Sequence, residues 1–278
     1  MPHENHLIIE PKKGFQLINI KELIRYRDLL YFMVLRDVTV VYKQTILGFA
    51  WALINPVFSM VVFTVIFGKL AKVPSDGIPY PIFSYAAVLP WSYFAASMTA
   101  STQSLISSSN LLTKVYFPRI IIPLTPVLSK LVDFFIAFII LIGLMIYFHI
   151  FPTMQLFWLF PLLAIMILTS AGIGMWLSAL AIQYRDIKFI VPVLVQLMMY
   201  AAPVVFPASL IREKIGETAY HLYAIYPMAG VIEGFRSAIT GHPVPMVFIG
   251  VGALSALVIF VTGAMYFKNM ERYFADVA

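Results

Sequence analysis

Long runs without charged residues dominate the hydrophobic pattern of the chain. Such runs extend over residues 44–68, 77–113 and 237–267. A helix rises about 1.5 Å per residue, so about 20 apolar residues cross a hydrocarbon core of about 30 Å. The pattern predicts an all-α integral membrane protein with six transmembrane helices. The expected spans are residues 46–67, 85–106, 131–148, 157–182, 189–206 and 246–267.

The segment before the first span has a different pattern. Apolar residues from Ile20 to Val41 recur at helical spacing, while Lys21, Arg25 and Asp28 lie largely on the other face. A mixed-charge amphipathic helix over Ile20–Tyr42 is typical of one lying in the cytoplasmic interface of a bilayer. Packing on the protein itself remains the alternative. The expected organisation is a cytoplasmic segment 1–43, a six-span domain 44–268 and a cytoplasmic tail 269–278.

A short helix is predicted in the loop between the second and third spans. A serine or asparagine cap opens it, and Pro118 restricts the residue before it, so it should end near Phe117. Apolar residues on a short helix that projects into the cytoplasm indicate a partner protein. A plain interfacial turn is the alternative.

Residues 207–245 are too polar to span a membrane and too apolar for a free loop. Pro227 and Gly230 are expected to divide this segment into two helical pieces. The segment is typical of re-entrant helices in the outer leaflet, which must be buried in protein or line a wet cavity. Glu233 and Arg236, three residues apart, are expected to pair, either as a structural cap or as part of an exit gate.

Composition and charge place the chain in a membrane. Of its 278 residues, 61% are hydrophobic and 12% charged, against about 25% charged in soluble domains. Cysteine is absent, which excludes disulfides and thiolate chemistry. If the N-terminus is cytoplasmic, 14 of the 19 Lys and Arg residues fall in inner segments. Both termini are then cytoplasmic, and the net charge of +6 is a topology signal rather than a sign of nucleic-acid binding.

Catalytic chemistry is sparse in this sequence. Asp133 is the only charged residue inside the expected spans, and Lys130 lies three residues before it, in position for a local ion pair. The five histidines are scattered, so no metal site is expected. No phosphate-binding loop occurs, and Gly172, Gly174, Gly250 and Gly252 are better explained by close helix packing. We therefore expect a chain that is not an enzyme and cannot hydrolyse ATP by itself.

Several segments, in order along about residues 20–270, resemble the membrane subunit of ABC-2 type exporters. The resemblance is strongest to the permeases that export O-antigen, capsule or teichoic acid polymers. Tyr226 departs from it, since an Asn is expected before Pro227. The matching segments are Leu35-Arg36-Asp37, Tyr42-Lys43-Gln44, Leu47-Gly48-Phe49-Ala50-Trp51, Asn55-Pro56, Phe117-Pro118-Arg119, Tyr184-Arg185-Asp186, Pro203-Val204, Pro227-Met228-Ala229 and Glu233-Gly234-Phe235-Arg236.

This resemblance implies a homodimeric permease in the bacterial cytoplasmic (inner) membrane, in contact with membrane lipids and resting on two copies of an ABC nucleotide-binding subunit. ATP and Mg would bind in that partner, and this chain would hold no cofactor. The Asn110–Phe117 helix would couple the two proteins, beside the amphipathic helix. The implied coupling residues are Asn110, Leu111, Leu112, Lys114, Tyr116, Phe117, Arg119, Arg25 and Arg36. The implied exit gate comprises Tyr226, Pro227, Glu233 and Arg236.

The expected cargo is a lipid-linked polysaccharide of O-antigen or capsule type, with teichoic acid or a small molecule as alternatives. Two other classes are a membrane-embedded polyprenyl-lipid transferase, which needs clustered ionisable groups, and a channel or scaffold. Aromatic rings can stack on the apolar face of a sugar, although most aromatics in membranes pack or anchor at the interface. The candidate residues of the substrate path are Trp51, Phe58, Trp91, Tyr93, Phe94, Tyr200 and Phe206.

Overall fold

The computed structural model describes residues 20–43, 48, 50–271 and 274. Over these ranges the regular structure is entirely helical. The helices are α1 (Ile20–Arg25), α2 (Arg27–Lys43), α3 (Ala50–Phe63) with a π-helical continuation (Thr64–Leu70), α4 (Tyr80–Ser107), α5 (Ser109–Lys114), α6 (Ile121–Tyr147), a 3₁₀ turn (Met154–Trp158), α7 (Leu159–Gln183), α8 (Ile187–Ala201), α9 (Ser209–Lys214), α10 (Glu217–Tyr223), α11 (Pro227–Thr240) and α12 (Met246–Met270).

Four helical stretches in the described part of the chain are long and apolar enough to cross a membrane. They are Ala50–Leu70, Ile121–Tyr147, Met154–Gln183 and Met246–Met270. Helix α4 has 28 residues but is less apolar, because serines and threonines follow one another along it. Helix α8 is apolar but has only 15 residues. The chain is therefore a multi-pass membrane protein.

Several helix boundaries differ from the spans expected from sequence. Helix α4 begins at Tyr80 rather than near Tyr85. Helix α6 begins at Ile121 rather than near Leu131, since it continues through Lys130, and Pro123 lies in its first turn, where the amide has no acceptor within the helix. Helix α8 ends at Ala201 rather than near Phe206. Ala202 is extended, as the residue before a proline usually is.

Helix α4 forms the centre of the bundle. It packs against α3, α6, α7, α8 and α11, and most of its residues are buried. Two tyrosine hydroxyls fix it to α6: Tyr85 donates to the Ala137 carbonyl at 2.8 Å and Tyr93 to the Val127 carbonyl at 3.0 Å. These bonds satisfy polar groups that would otherwise be buried without a partner.

Helices α7 and α12 approach closely at a pair of glycines. A Cβ atom on Gly172 would lie 2.7 Å from the Phe260 Cα, and one on Gly263 would lie 2.3 Å from the Gly172 carbonyl oxygen. Neither position has room for a side chain. The close packing expected at Gly172 is therefore confirmed, as it is at Gly174, where an added Cβ atom would lie 2.8 Å from the Ser101 Cβ. The same expectation was wrong at Gly250, where an added Cβ atom would meet nothing within 4 Å.

Residues 207–245 form three helices instead of the expected two pieces. Gly216, at φ +115°, separates α9 from α10, and Pro227 opens α11. The break expected at Gly230 was wrong. Gly230 lies inside α11, where a Cβ atom would approach the Phe248 carbonyl oxygen to 2.7 Å, so close contact with α12 explains this glycine.

Candidate functional site

A cleft of about 810 Å³ opens where α2, α4, α5 and α6 meet, which we call the α5 end of the bundle. Its apolar wall includes Met33 and Leu111, and serines of α4 and α6 supply hydroxyls. Charged groups also line it. These are Arg36, Asp37, Lys114, Lys130 and Asp133.

Asp133 joins two helices across this cleft. The Lys130 ammonium lies 2.8 Å from one carboxylate oxygen, as expected, and the Tyr42 hydroxyl donates to the other. Burial, the hydrogen bond to Asp133 and the carboxylate charge raise the pKa of the Tyr42 hydroxyl, so it remains the donor. Tyr42 lies at the end of α2, so these contacts tie α2 to α6. The sequence pattern had indicated Lys130 but not Tyr42.

Helix α5 is shorter than expected. It ends at Lys114 because Val115 is extended, at φ −133° and ψ 136°. Tyr116 is 82% exposed and Val115 is also exposed, whereas Phe117 is only 4% exposed. Leu111 packs against the chain's own core. The side chains of Asn110 and Leu112 lie outside the described residues.

The basic coupling candidates have different surroundings. Arg119 donates to the Glu271 carbonyl at 2.6 Å, which fixes the loop to the end of α12. Arg36 pairs with Asp37 at 2.8 Å and remains exposed. Arg25 and Lys114 are exposed as well. The coupling candidates that remain exposed at the α5 end are thus Arg25, Arg36, Lys114 and Tyr116. Phe117 and Arg119, in contrast, are packed or hydrogen-bonded within the same chain.

A second cavity, of about 580 Å³, is an open groove along α4 between α3 and α8. It adjoins the cleft, because Ala100 lines both. Small and polar residues of α4 form much of its surface, together with Asn55 and Ser59 of α3. Sequence reasoning missed this polar stripe. Its signal was the helical spacing of Ser92, Thr99 and Gln103.

The aromatic candidates for a substrate path do not lie together. Trp91 lines the groove, although little of it is exposed. Tyr93 and Phe94 are buried in the core. Trp51, Phe58 and Tyr200 are exposed on α3 and α8. The remaining candidate, Phe206, is half-buried beyond the end of α8.

Arg236 organises the opposite end of the bundle, which we call the α11 end. Its guanidinium is 3% exposed and lies 2.9 Å from a Glu233 carboxylate oxygen, so the expected pair is present. It also donates to the backbone carbonyls of Phe83, Val204 and Phe206, at 3.2, 2.8 and 3.4 Å. Its Cζ atom lies 3.5 Å from the centre of the Phe83 ring.

Further bonds hold residues 202–208 in place, and we call this set of contacts around Glu233 and Arg236 the clamp. Glu233 accepts from the Ala208 amide at 2.9 Å, and the Tyr80 hydroxyl donates to the Val205 carbonyl at 2.7 Å. Burial raises the pKa of the Glu233 carboxyl, and the Arg236 charge opposes this. Burial lowers the pKa of Arg236, and Glu233 opposes that shift. The attraction between the two charges therefore offsets part of the cost of burying them.

The other two gate candidates also lie at the α11 end. Pro227 is buried as the first residue of α11. Tyr226 packs against a small apolar cluster that includes Ala208 and Phe248. All four gate candidates are thus in one region, and a small cavity of about 220 Å³ lies over Glu233 and Arg236.

No group of three or more His, Asp or Glu residues suited to a metal ion occurs in the ranges that the structure describes. The cleft and the groove thus provide open space at the α5 end and along α4, while the contacts of Arg236 hold the backbone at the α11 end.

Comparison with known proteins identifies relatives of this chain among membrane transport proteins. Residues 28–240 match the model of the family described as ABC-2 type transporter. The chain is 27% identical to the O-antigen export system permease protein RfbA of Myxococcus xanthus, over 91% of this chain and 97% of the relative. It is 26% identical to the RfbA permease of Klebsiella pneumoniae, over 90% and 95%, and 23% identical to the polysialic acid transport protein KpsM of Escherichia coli, over 86% and 92%. Since the family match extends over most of its length, the chain belongs to the ABC-2 type transporter family.

Proposed function

We propose that this chain is the permease subunit of an ATP-driven exporter that moves a lipid-linked polysaccharide, of O-antigen or capsule type, across the bacterial cytoplasmic membrane. The observation that carries the proposal is the nearly full-length similarity to permeases named for O-antigen export. The polysialic acid transporter among the relatives supports the capsule class. The cleft and the adjoining groove supply space for such a cargo.

The proposed topology has six spans. Helices α4 and α8 are counted as spans in addition to the four long apolar stretches, because α4 lies at the centre of the bundle and α8 packs beside it. Both termini are then cytoplasmic, and the α5 end faces the cytoplasm with most of the basic residues. Helices α1 and α2 lie in the interface, and α9, α10 and α11 are re-entrant at the outer side.

Energy is supplied by a separate subunit in this proposal. This chain is not an enzyme and holds no cofactor, while ATP and Mg bind to two copies of a nucleotide-binding subunit. Lys114 and Tyr116 contact that subunit directly, with Arg25 and Arg36 on the neighbouring surface. A displacement of α2 reaches α6 through the bond from Tyr42 to Asp133.

Two copies of the chain form the transport unit. The groove is open along one side, so a second copy is required to enclose a path. Trp51, Phe58 and Tyr200 are exposed on the helices beside the groove and are available to line it. The clamp around Glu233 and Arg236 holds the backbone that closes the outer end.

Substitution of Tyr116 tests the coupling surface. Tyr116→Ala removes a large exposed aromatic ring, and a central interface residue of this kind contributes about 2 kcal/mol or more to binding. We expect at least tenfold weaker copurification of the nucleotide-binding subunit and a matching loss of polymer export. The measurement is a pull-down from membranes together with quantification of surface polysaccharide.

Tyr147→Ala is the matched control, because Tyr147 is a similarly exposed tyrosine at the other end of α6. It should leave both readouts unchanged. Polymer export by the chain without any nucleotide-binding subunit would contradict the proposal, as would glycosyl transfer by the purified chain.

A further inference from the structure

The loop after α5 is packed against the last long helix of its own chain. We call residues 115–120 the coupling loop. It begins in an extended conformation, so neighbouring side chains point to opposite sides: Tyr116 is exposed, while Phe117 is buried. Phe117 belongs to the same buried apolar cluster as Phe267 of α12 and Phe274, whose rings lie 5.2 Å apart, edge to face. A displacement of Tyr116 therefore acts on a side chain that is packed with the end of α12.

Arg119 makes a second, polar connection between the coupling loop and α12. Its guanidinium donates to the Glu271 carbonyl at 2.6 Å, and the Phe274 amide donates to the same carbonyl at 3.4 Å. The last carbonyls of a helix have no partner within the helix, and the helix dipole favours a cation there. Arg119 therefore binds α12 where its backbone needs a donor.

Helix α12 is suited to carrying a displacement across the bilayer. Its 25 residues extend over about 37 Å at about 1.5 Å per residue, and it contains no proline. Helices α3, α4, α6 and α8 each contain an internal proline, which removes a backbone hydrogen bond and favours bending. Helix α12 therefore lacks the feature that most often bends a helix.

The other end of α12 contacts the helix that carries the clamp. Helix α12 packs mainly against α7 and α11. An added Cβ atom on Gly230 of α11 would lie 2.7 Å from the Phe248 carbonyl oxygen of α12, so the two backbones touch there. No layer of side chains between them could take up a movement by changing rotamer. A shift of α12 is therefore passed directly to α11, which carries Glu233 and Arg236.

We propose that α12 transmits movement of the coupling loop to the clamp at the α11 end, and that Arg119 and Phe274 are the positioning residues that hold the loop on this helix. The inference rests on the proposed function, because it takes the nucleotide-binding subunit as the source of movement. This route is separate from the bond between Tyr42 and Asp133, which acts on α6. The clamp on the outer side then responds to ATP bound on the cytoplasmic side.

Substitution of Arg119 tests the polar connection. Arg119→Met keeps a long side chain but removes the donors. In membranes containing the whole complex, the ATP hydrolysed per polymer exported should rise at least threefold, while copurification of the nucleotide-binding subunit stays at the wild-type level. Arg119→Lys retains a cationic donor and should restore most of the coupling. Arg185→Met is the control, because Arg185 is exposed between α7 and α8, and its ratio should equal that of the wild type.

Substitution of Phe274 tests the apolar connection. Phe274→Leu keeps an apolar side chain but removes the ring that contacts Phe267, so the ATP hydrolysed per polymer should again rise, at least twofold. Phe160→Leu is the matched control, because Phe160 is 71% exposed on α7. It should leave the ratio unchanged.

A thiol beside the clamp measures the transmission directly. The chain has no cysteine, and Ser237, half-buried on α11, lines the cavity over Glu233 and Arg236. The rate at which an impermeant maleimide labels Ser237→Cys should change at least threefold between the ADP-bound complex and the complex trapped with ATP and vanadate. Arg119→Met should abolish this change, and Arg119→Lys should keep it. Lys214→Cys, exposed on α9, should be labelled at the same rate in both states.

The outcomes separate this inference from the proposed function. A wild-type complex that exports no polysaccharide would contradict the proposed function. Normal wild-type export would overturn the α12 route alone if labelling at position 237 ignored the nucleotide, or if its response persisted in Arg119→Met. An unchanged ratio of ATP to polymer in Arg119→Met would do the same, and loss of the partner subunit from this variant would show a direct contact instead of a positioning role. If Arg119→Met does not fold, the same measurements on Phe274→Leu decide.

Discussion

At position 236, one guanidinium donates to three backbone carbonyls and a carboxylate. Arginine suits this position because its planar group carries five donors and does not lose its charge. The carbonyls belong to residues near the end of α8 and the start of α4, so a single side chain joins segments far apart in sequence. Without it, Glu233 would be a buried charge with no cationic partner.

Arg236→Gln should therefore be strongly destabilising. Breaking a buried ion pair by removing one partner costs about 3–5 kcal/mol. We expect a clear fall in the apparent melting temperature of the purified protein in detergent, measured by intrinsic fluorescence.

Arg212→Gln provides the comparison, because Arg212 pairs with Glu217 at 2.8 Å but both side chains are more than half exposed. An exposed pair contributes about 1 kcal/mol or less. Equal melting temperatures for the two variants would show that the clamp around residue 236 contributes no more than a surface contact.

Sequence predicted part of this residue-level chemistry. The spacing of three residues predicted the Glu233–Arg236 pair, because it brings the side chains together on one helix. The carbonyl partners lie 30–153 residues away, and only the folded chain brings them to Arg236. The same holds for Asp133, where Lys130 is local and Tyr42 is 91 residues distant.

Among the helices, α2 has the least expected packing. The apolar face recognised in the sequence includes Tyr31, Leu35 and Val41 of this helix, which are exposed, whereas Met33 on another side is buried against the bundle. The helix thus packs on its own protein and also presents an apolar surface. Its C-terminal end is held on α6 by the bond from Tyr42 to Asp133.

Tyr42→Phe should loosen α2 without removing its packing. A hydrogen bond to a charged group contributes about 1.5–3 kcal/mol, and partial exposure places this one at the lower end. In the proposed exporter, we expect the ATP hydrolysed per polymer exported to rise severalfold, because movement of α2 is transmitted less faithfully. Parallel ATPase and export assays on the same membranes measure this ratio.

Tyr31→Phe removes a hydroxyl from the same helix at an exposed position, so its ratio should equal that of the wild type. A normal ratio in Tyr42→Phe would show that the contact with Asp133 has no part in coupling.

Helix existence was easier to predict than helix ends. Long apolar runs required helices, but Lys130 marked no boundary because a lysine inside a helix can extend its side chain along the surface and pair there with Asp133. Gly230 gave a false signal, since a glycine within a helical pattern indicates either a break or close packing, and only the neighbouring Phe248 decides between them.

For the whole molecule, the distribution of basic residues and the positions of the cavities indicate the same direction of transport, from the α5 end towards the α11 end. The cleft lies at the end that carries most of the basic residues, and the groove leads from it along α4 towards the clamp. The sequence predicted the membrane location and the charge bias. It did not predict the cavities, because they arise from how α2, α3 and α8 lie around α4.

Topology is testable with thiols placed at the two ends. In intact spheroplasts, Lys72→Cys and Lys214→Cys should react with an impermeant maleimide, because both sites are exposed near the outer side of the proposed arrangement. Arg185→Cys, exposed between α7 and α8, should react only after permeabilisation. The reverse pattern would show that the protein is inserted in the opposite orientation.

In the first apolar stretch, Ala50–Leu70, 6% of the residues in its apolar 18-residue segment are buried within the chain. The corresponding share is 28–44% in the other three stretches. Among the described residues, a newly inserted copy holds this helix chiefly through contacts with α4 and α6. Until neighbours cover it, the helix remains the least secured part of the fold, and local opening there is accessible at low free energy. Cellular abundance should accordingly depend on how quickly copies are incorporated into complexes, since orphan copies would be cleared by membrane quality control.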